Sequence, residues 1–432
     1  MILNVIFGSL AALSFILLIW QWLAARRFLL HQRVSDTSFA PEVTLLKSLK
    51  GADAATEDCL RSWFAQDYRG EIQILFGVVS ADDPVCAIVN KLKQEFPHRD
   101  VQLGVFPTLV GANAKVSKLA ELEKLARYEI LVISDADVRV PPDFLANAVA
   151  PLAEDGGAGD PIHAAGTDAP GPHGVTRPTV GLVNCFYQLA NPSTTAMQWE
   201  AIAINADFWS QVLQSQTLKP LDFALGAVML TRRAHVAEIG GFKSLADCLA
   251  DDYQLGNRIA RHGHRIVLSP IVVECWDPPM TWRAVWKHQL RWARTIRVCQ
   301  PVPYFFSILS NAGLWALLCL AFGLFGMQVH QLGHSTLSVV TESGAISGSY
   351  STVIHVPAGI VFGGICILVR VIVACKLQSR LTRKAVASNF WLVPIKDLLQ
   401  AAIWVCAFAG NKIEWRGQVY RLRGDGTLVK KG

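Results

Sequence analysis

The run LVISDADVRV, residues 131–140, decides how the rest of the chain is read. Residues 130–133 are apolar, Ser134 follows, and Asp135 and Asp137 come next with one residue between them. A short apolar run of this kind has the pattern of a strand buried on both faces of a parallel sheet. In open α/β sheets ligands bind just outside the carboxyl ends of the strands. Both carboxylates then stand where a ligand would sit. Two carboxylates there can hold a hard divalent cation, and the cation can hold a diphosphate. An Asp-rich turn capping a helix that starts near Pro141 accounts for the same residues, and D-x-D alone does not separate the two readings.

Working outward from this run, strands and helices alternate. Residues 43–46, 71–79 and 101–105 read as strands, and residues 53–65 and 82–96 as helices. The loop GANAKVSK (111–118) leads into a further helix and delivers Lys115. Repeated βα units predict an α/β domain with a mostly parallel sheet and helices on both faces. No G-x-G-x-x-G or Walker loop is present, which leaves a dinucleotide fold and a P-loop without support. Beyond a Gly-, Pro-, Ala- and His-rich stretch (155–178), read as a surface loop, come a strand (180–185), a helix (197–213) and a strand (224–231) preceded by Asp222. His163 and His173 in that loop fit no metal-ligand spacing. LADDYQLGNRIAR (249–261) reads as a helix with Asp251 and Asp252 at its start. Negative charge is favoured there by the helix dipole, so these are caps, or one of them is a general base.

TWRAVWKHQLRWARTIR (281–297) repeats Trp282, Val285, Trp286, Gln289, Trp292 and Ile296 at three- and four-residue spacing, with basic residues between. A basic, aromatic amphipathic helix suits the headgroup region of a membrane. It also brings His288, Arg291 and Trp292 within about one turn, where arginine could meet a diphosphate bidentately.

Composition supports a membrane setting. Of 432 residues, 52% are hydrophobic and 17% charged, too apolar for a soluble globule and too polar for an all-membrane bundle. Residues 2–23 are uncharged and precede Arg26, Arg27 and Arg33. That order fits an anchor (1–25) with its N-terminus outside rather than a signal peptide. The catalytic segment (40–300) then faces the cytoplasm. Residues 304–410 form a C-terminal membrane region with apolar runs at 304–327, 354–374 and 390–408, and residues 411–432 a basic tail. Three full spans there would put the tail outside, so residues 387–410 are expected to be re-entrant or interfacial. A net charge of +6 without a basic–aromatic array gives no support for a nucleic-acid partner. Ten scattered cysteines with no C-x-x-C pair argue against a zinc framework and for a reducing compartment.

Eight stretches in order resemble the membrane-anchored family 2 glycosyltransferases of the ceramide glucosyltransferase type: LLKSLKGAD (45–53), ADDP (81–84), GANAKVSKL (111–119), ISDADVRVPPDFL (133–145), GAVMLTRR (226–233), ADDYQLG (250–256), HQLRWARTIR (288–297) and WRGQVYRLRGDGT (415–427). Bacterial hopanoid glycosyltransferases share most of them, and HQLRWARTIR is closer to that branch. The resemblance implies a GT-A fold and inverting transfer of a sugar, glucose first, from a UDP-sugar to a membrane lipid, ceramide or a hopanoid. It also implies a multi-pass protein of a bacterial inner membrane. Carried over residue by residue, Asp82 or Asp83 contacts the nucleotide and Lys115 lies near it or its phosphates. Asp135 and Asp137 hold Mg or Mn on the diphosphate, and Asp252 is the catalytic base. Arg291 and Trp292 belong to the (Q/R)-x-x-R-W motif, whose first position is here His288. A processive polysaccharide synthase and a non-enzymatic membrane scaffold are the competing classes.

Overall fold

Residues 130–134 form a strand buried at every position, as the apolar run requires. The computed structural model of the protein describes residues 2–156, 178–334, 358–385, 389–415 and 418–430. In chain order the first half contains α1 (Ile2–Arg27), β1 (Val43–Ser48), α2 (Thr56–Phe64), β2 (Ile72–Val78), α3 (Val85–Glu95), β3 (Asp100–Val105), α4 (Ala114–Leu125), β4 (Ile130–Ser134), β5 (Val138–Arg139) and α5 (Phe144–Val149). Then follow β6 (Val180–Leu189), α6 (Thr195–Ile202), a π turn (Ala203–Phe208), α7 (Trp209–Gln216), β7 (Val228–Arg232), α8 (Arg233–Glu238), α9 (Asp251–Arg261), β8 (Arg265–Cys275) and α10 (Trp282–Cys299). The C-terminal region holds α11 (Pro301–Phe306), α12 (Ala312–His334), α13 (Ala358–Thr382), α14 (Leu392–Phe408), β9 (Lys412–Trp415), β10 (Gln418–Leu422) and β11 (Leu428–Lys430).

Eight strands form one sheet in the order β3-β2-β1-β4-β7-β6-β8-β5. The first four are parallel, as the βα alternation predicts. The sheet is mixed beyond them, because β7 enters antiparallel to both β4 and β6, and β5 pairs antiparallel with β8. That reversal positions the site. Ser134 at the end of β4 pairs with Val228 at the start of β7, and the Asp135 amide donates to the Ala227 carbonyl at 3.2 Å.

Several boundaries differ from the sequence pattern. The helix read at 197–213 is two α-helices joined by the π turn. The strand read at 224–231 begins only at Val228, because residues 224–227 form a turn in which Gly226 takes φ +95°. The helix read near Pro141 starts at Phe144, too far along for Asp135 or Asp137 to cap it. Residues 157–177, with His163 and His173, and 335–357, between the first two C-terminal apolar runs and into the second, lie outside the described residues.

Among the described residues, α1 and α13 are long and apolar enough to cross a membrane. Residues 304–327, read as one apolar run, are instead split by a 46° bend between 301–310 and 312–325, which could together serve as a third span. These helices are not a separate layer. One core joins sheet residues such as Ile133 and Phe186 to Leu18 and Ala25 of α1 and Leu377 of α13. The ends of α1 and α13 also meet: the Arg380 guanidinium donates to the Phe28 carbonyl at 2.8 Å, and His31 Nε2 lies 3.0 Å from the Leu381 carbonyl. The strands β9–β11 form a second sheet against the residues before α9, through a Cys248–Thr427 bridge and the Leu428 amide on the Asp247 carbonyl at 2.7 Å.

Candidate active site

Asp135 and Asp137 follow β4 at the carboxyl edge of the parallel strands, where ligands of such sheets sit. A third and a fourth carboxylate come from the start of α9. The N-cap position of that helix is Ala250, which offers no side-chain cap, and Asp252 Oδ1 accepts from the Tyr253 amide at 2.8 Å. Asp251 accepts from Asn113 Nδ2 at 3.2 Å and from Lys115 Nζ at 3.1 Å, and Lys115 also reaches Asp135 Oδ1 at 2.7 Å. Lys115 is held in place by its own helix terminus. The Asn113 side chain caps α4 by accepting from the Lys115 and Val116 amides. The lysine read from the GANAKVSK loop therefore lies in the first turn of α4 and joins the two acidic segments.

Asp252 lies against Gly226, and a Cβ at position 226 would collide with Asp252 Oδ2. The positive φ of Gly226 and its missing side chain thus let α9 approach the end of β4. Burial first, and then the charge of Asp251, push the Asp252 carboxyl up to about 6, with Lys115 opposing. Burial works against the Lys115 ammonium, but Asp135, Asp251 and Asp252 outweigh it and hold Lys115 firmly charged. The Asp137 carboxyl is pushed up to about 7 by burial, then by Asp135 and Asp277. One lysine therefore does not balance the carboxylates gathered here. An all-oxygen set with surplus negative charge fits a hard divalent ion such as Mg or Mn, with Asp135 and Asp137 as its holders.

Asp83 and Asp82 stand after β2, which is separated from β4 by β1. Asp83 accepts from the Gly51 amide at 2.9 and 3.1 Å and from the Val85 amide at 3.1 Å, which ties the loop after β1 to the start of α3. Asp82 beside it is exposed.

On α10, His288 Nδ1 is 2.8 Å from Glu200 Oε1, and Gln289 Nε2 donates to the same oxygen at 2.8 Å. The His288 and Trp292 rings are 4.6 Å apart, and Arg291 lies between them in sequence, partly buried. Trp292 neighbours Phe208 of the π turn (6.5 Å), which neighbours Tyr187 at the end of β6 (5.4 Å). The Tyr187 phenol is pushed above its ordinary range by burial first, then by Cys275, Asp252, Asp135 and Glu200. These aromatics run from the carboxylates to a cavity of about 160 Å³ beside the apolar helices α1, α13 and α14, lined by Gln21, Asp207, Phe208, Gln289, Trp292 and Arg370 among others. A wider, open depression of about 440 Å³, near Pro41, Glu129 and Arg232, holds none of the candidate residues.

The family model described as "Glycosyl transferase family 21" matches residues 6–162, 173–342 and 327–428. The chain belongs to this family. The family 21 chain is 34% identical over 128 residues to a ceramide glucosyltransferase of Candida albicans, covering 27% of this chain and 24% of that protein. It is 22% identical over 249 residues to ceramide glucosyltransferase 3 of Caenorhabditis elegans, covering 57% and 49%. The matched segments thus span a quarter to a half of these relatives. The mannosyltransferase PcManGT of Pyrobaculum calidifontis, solved with GDP-Man and Mn2+, superposes with a TM-score of 0.50 at 18% identity over 94% of this chain and 99% of that one. The fold is GT-A-like.

Three contributors escape a motif reading. Lys47 is fully buried on β1, donates to Ser134 Oγ at 3.0 Å and to the Asp135 carbonyl at 2.6 Å, and sits 4.9 Å from the Trp63 ring centre. Burial lowers its ammonium to about 8. A lysine inside the apolar run VTLLKS was the available signal, since lysine is rarely buried without a partner. Glu200, buried under His288, and Asn113 carry no signal of their own; each becomes visible only when distant segments meet.

Proposed function

We propose that this family 21 chain transfers a sugar, glucose first, from a UDP-sugar to a hydroxyl of a membrane lipid of the ceramide type, with inversion. The observation that carries this reading is Asp252, a carboxylate held near Asp135 and Lys115 with its proton affinity raised to about 6. A base of this strength is ionised at neutral pH yet able to take a proton as a bond forms. The lipid hydroxyl gives its proton to Asp252 while its oxygen bonds to the anomeric carbon. The bond from that carbon to the diphosphate breaks on the opposite face, and the nucleotide diphosphate departs with the electron pair.

Asp135 and Asp137 would hold the divalent ion, which supplies charge neutralisation for the diphosphate when bound. Arg291 of the R-W pair adds a fixed cation for the same leaving group. Lys115 keeps the two acidic segments at a set separation. Asp82 and Asp83 flank the nucleotide end. The acceptor enters from the membrane through the cavity beside Trp292, where Gln21 and Gln289 offer hydrogen bonds to an amide or hydroxyl head group.

The test is direct. Purified protein with Mg or Mn receives UDP-glucose, UDP-N-acetylglucosamine or UDP-glucuronate against ceramide or bacteriohopanetetrol, and lipid products are read by mass. Glucosylceramide is the expected product. A sugar on the hopanoid alone moves the acceptor to the branch that HQLRWARTIR resembles. Polymer, or no nucleotide release with any lipid, overturns the proposal.

A further inference from the structure

At the end of the sheet remote from the catalytic carboxylates, where β7 finishes and β6 and β8 start, three side chains converge. His235 and Glu238 are three residues apart on α8 and so share one face of its turn. His264 immediately precedes β8. The His235 and His264 rings stand 4.1 Å apart, centre to centre. His264 Nε2 is 2.7 Å from Glu238 Oε2, and one donor atom from each of the three residues lies within 4.8 Å of the other two.

Two features distinguish this from a chance surface cluster. First, both rings are oriented by their other nitrogen. His235 Nδ1 is 3.1 Å from the Gly181 carbonyl, and His264 Nδ1 is 2.8 Å from Thr179 Oγ1. A carbonyl only accepts, so Nδ1 of His235 carries the proton and its Nε2 keeps a free lone pair. This is how metal-binding histidines are usually fixed, with one nitrogen on an oxygen acceptor and the other on the ion. Second, the backbone makes room. A Cβ at Gly181 would collide with His264 Cβ, so only glycine there lets His264 come this close. His235 is buried, His264 is 16% exposed in its side chain, and Glu238 opens to solvent, which gives an ion a way in.

We propose that His235, Glu238 and His264 form a binding site for one borderline divalent metal ion, zinc foremost, with water completing the coordination. Two imidazoles and one carboxylate are a donor set zinc accepts with a fourth position left to water. Nitrogen donors also separate this site from the oxygen-only pair Asp135 and Asp137, since imidazole favours zinc, cobalt or copper over magnesium. Binding would replace the His264–Glu238 hydrogen bond and join α8 to the starts of β6 and β8.

The test uses the full chain in detergent with excess Mg2+ to fill oxygen-donor sites. Co2+ is titrated as a spectroscopic probe and then displaced with Zn2+. One equivalent of Co2+ giving the intense visible bands of four-coordinate geometry, and displaced by one equivalent of Zn2+, is expected. His264→Ala should abolish the bands, and Asp135→Asn should keep them. Glu238→Gln retains a hydrogen-bond partner for His264 and therefore the local fold; it should weaken Zn2+ binding at least about tenfold. Equal Zn2+ binding by wild type, Glu238→Gln and His264→Ala overturns the proposal, as does a titration showing only weak six-coordinate bands. Sugar transfer with Mg2+ should be the same in Glu238→Gln as in the wild type.

Discussion

Asp252 and Asp137 are both acidic groups with raised proton affinity, but they are asked to do opposite things. In the proposed mechanism Asp252 is ionised and free to accept a proton, whereas Asp137 is ionised and committed to a cation. With saturating Mg2+, Asp137 drops out of the accessible pH range, and the acid limb of kcat/KM belongs to Asp252, whose carboxyl is pushed up to about 6. Protonation removes the base, so activity falls as pH falls through that value. It should be about tenfold lower at pH 5 than at pH 8. Asp252→Asn should cost a factor of about 10²–10⁴ in kcat while donor binding persists. A variant as fast as the wild type, or an acid limb unchanged in it, would sink the assignment. Lys47 offers a second test. Lys47→Met keeps length but removes the donor to Ser134 and the Asp135 carbonyl. It should destabilise the domain by about 1–3 kcal/mol, and raise the Mg2+ needed for half-maximal activity about tenfold. Titrating Mg2+ in the assay reads the second effect separately from the first. At this scale Asp135, Asp137, Lys115 and Asp252 were legible in the sequence because each sits beside a break in periodicity or an unusual charge. Lys47 escapes because the strand read from the sequence, 43–46, stops one residue before it, and the role of Gly226 shows only once Asp252 stands against it.

Among the elements, βα alternation told the parallel half of the sheet correctly, since each short apolar run is followed by an amphipathic helix. It could not tell that β7 enters reversed, because strand direction leaves no trace in a buried run. The π turn at Ala203–Phe208 was equally silent. Its consequence is Asp207, which accepts from Arg370 of α13 at 2.8 and 3.0 Å and also receives Lys396 of α14; Arg370 continues to Asp397 at 2.8 Å. Four buried charges of balanced sign thus join the π turn, α13 and α14. Arg370, Lys396 and Asp397 interrupt apolar stretches of the sequence, and in the fold they are one network. Removing one partner leaves buried charge uncompensated. Arg370→Met should therefore destabilise by about 3–5 kcal/mol, and Arg370→Met with Asp397→Asn should recover part of that loss. Thermal unfolding in detergent measures both. A single variant as stable as the wild type would mean water enters the network and the helices are not held by it.

For the whole molecule, the question is on which side of the membrane each part lies, and contacts between chain ends constrain the answer. The last residues of α1 and α13 meet through Arg380 and His31, so both helices end at one face. That face carries Arg26, Arg27, Arg380 and Arg383, and on this charge excess we propose that it is the cytoplasmic side. The chain enters the catalytic domain there after α1. In the proposed topology it crosses outward through the bent α11–α12 segment and returns along α13. Helix α14 begins ten residues after α13 ends and is only 17 residues long. Directly after it, β9 carries Glu414 to 2.6 Å from Lys287 of α10, and β11 follows onto the residues before α9. We propose that helix α14 leaves and rejoins the same face, which an odd count of three crossings permits and four would forbid. A C-terminal epitope tag should be digested by protease in sealed inside-out vesicles together with the catalytic domain, while an N-terminal tag survives until detergent is added. A protected C-terminal tag in the same vesicles would require α14 to cross, and so would separate β9–β11 from the domain they pack against.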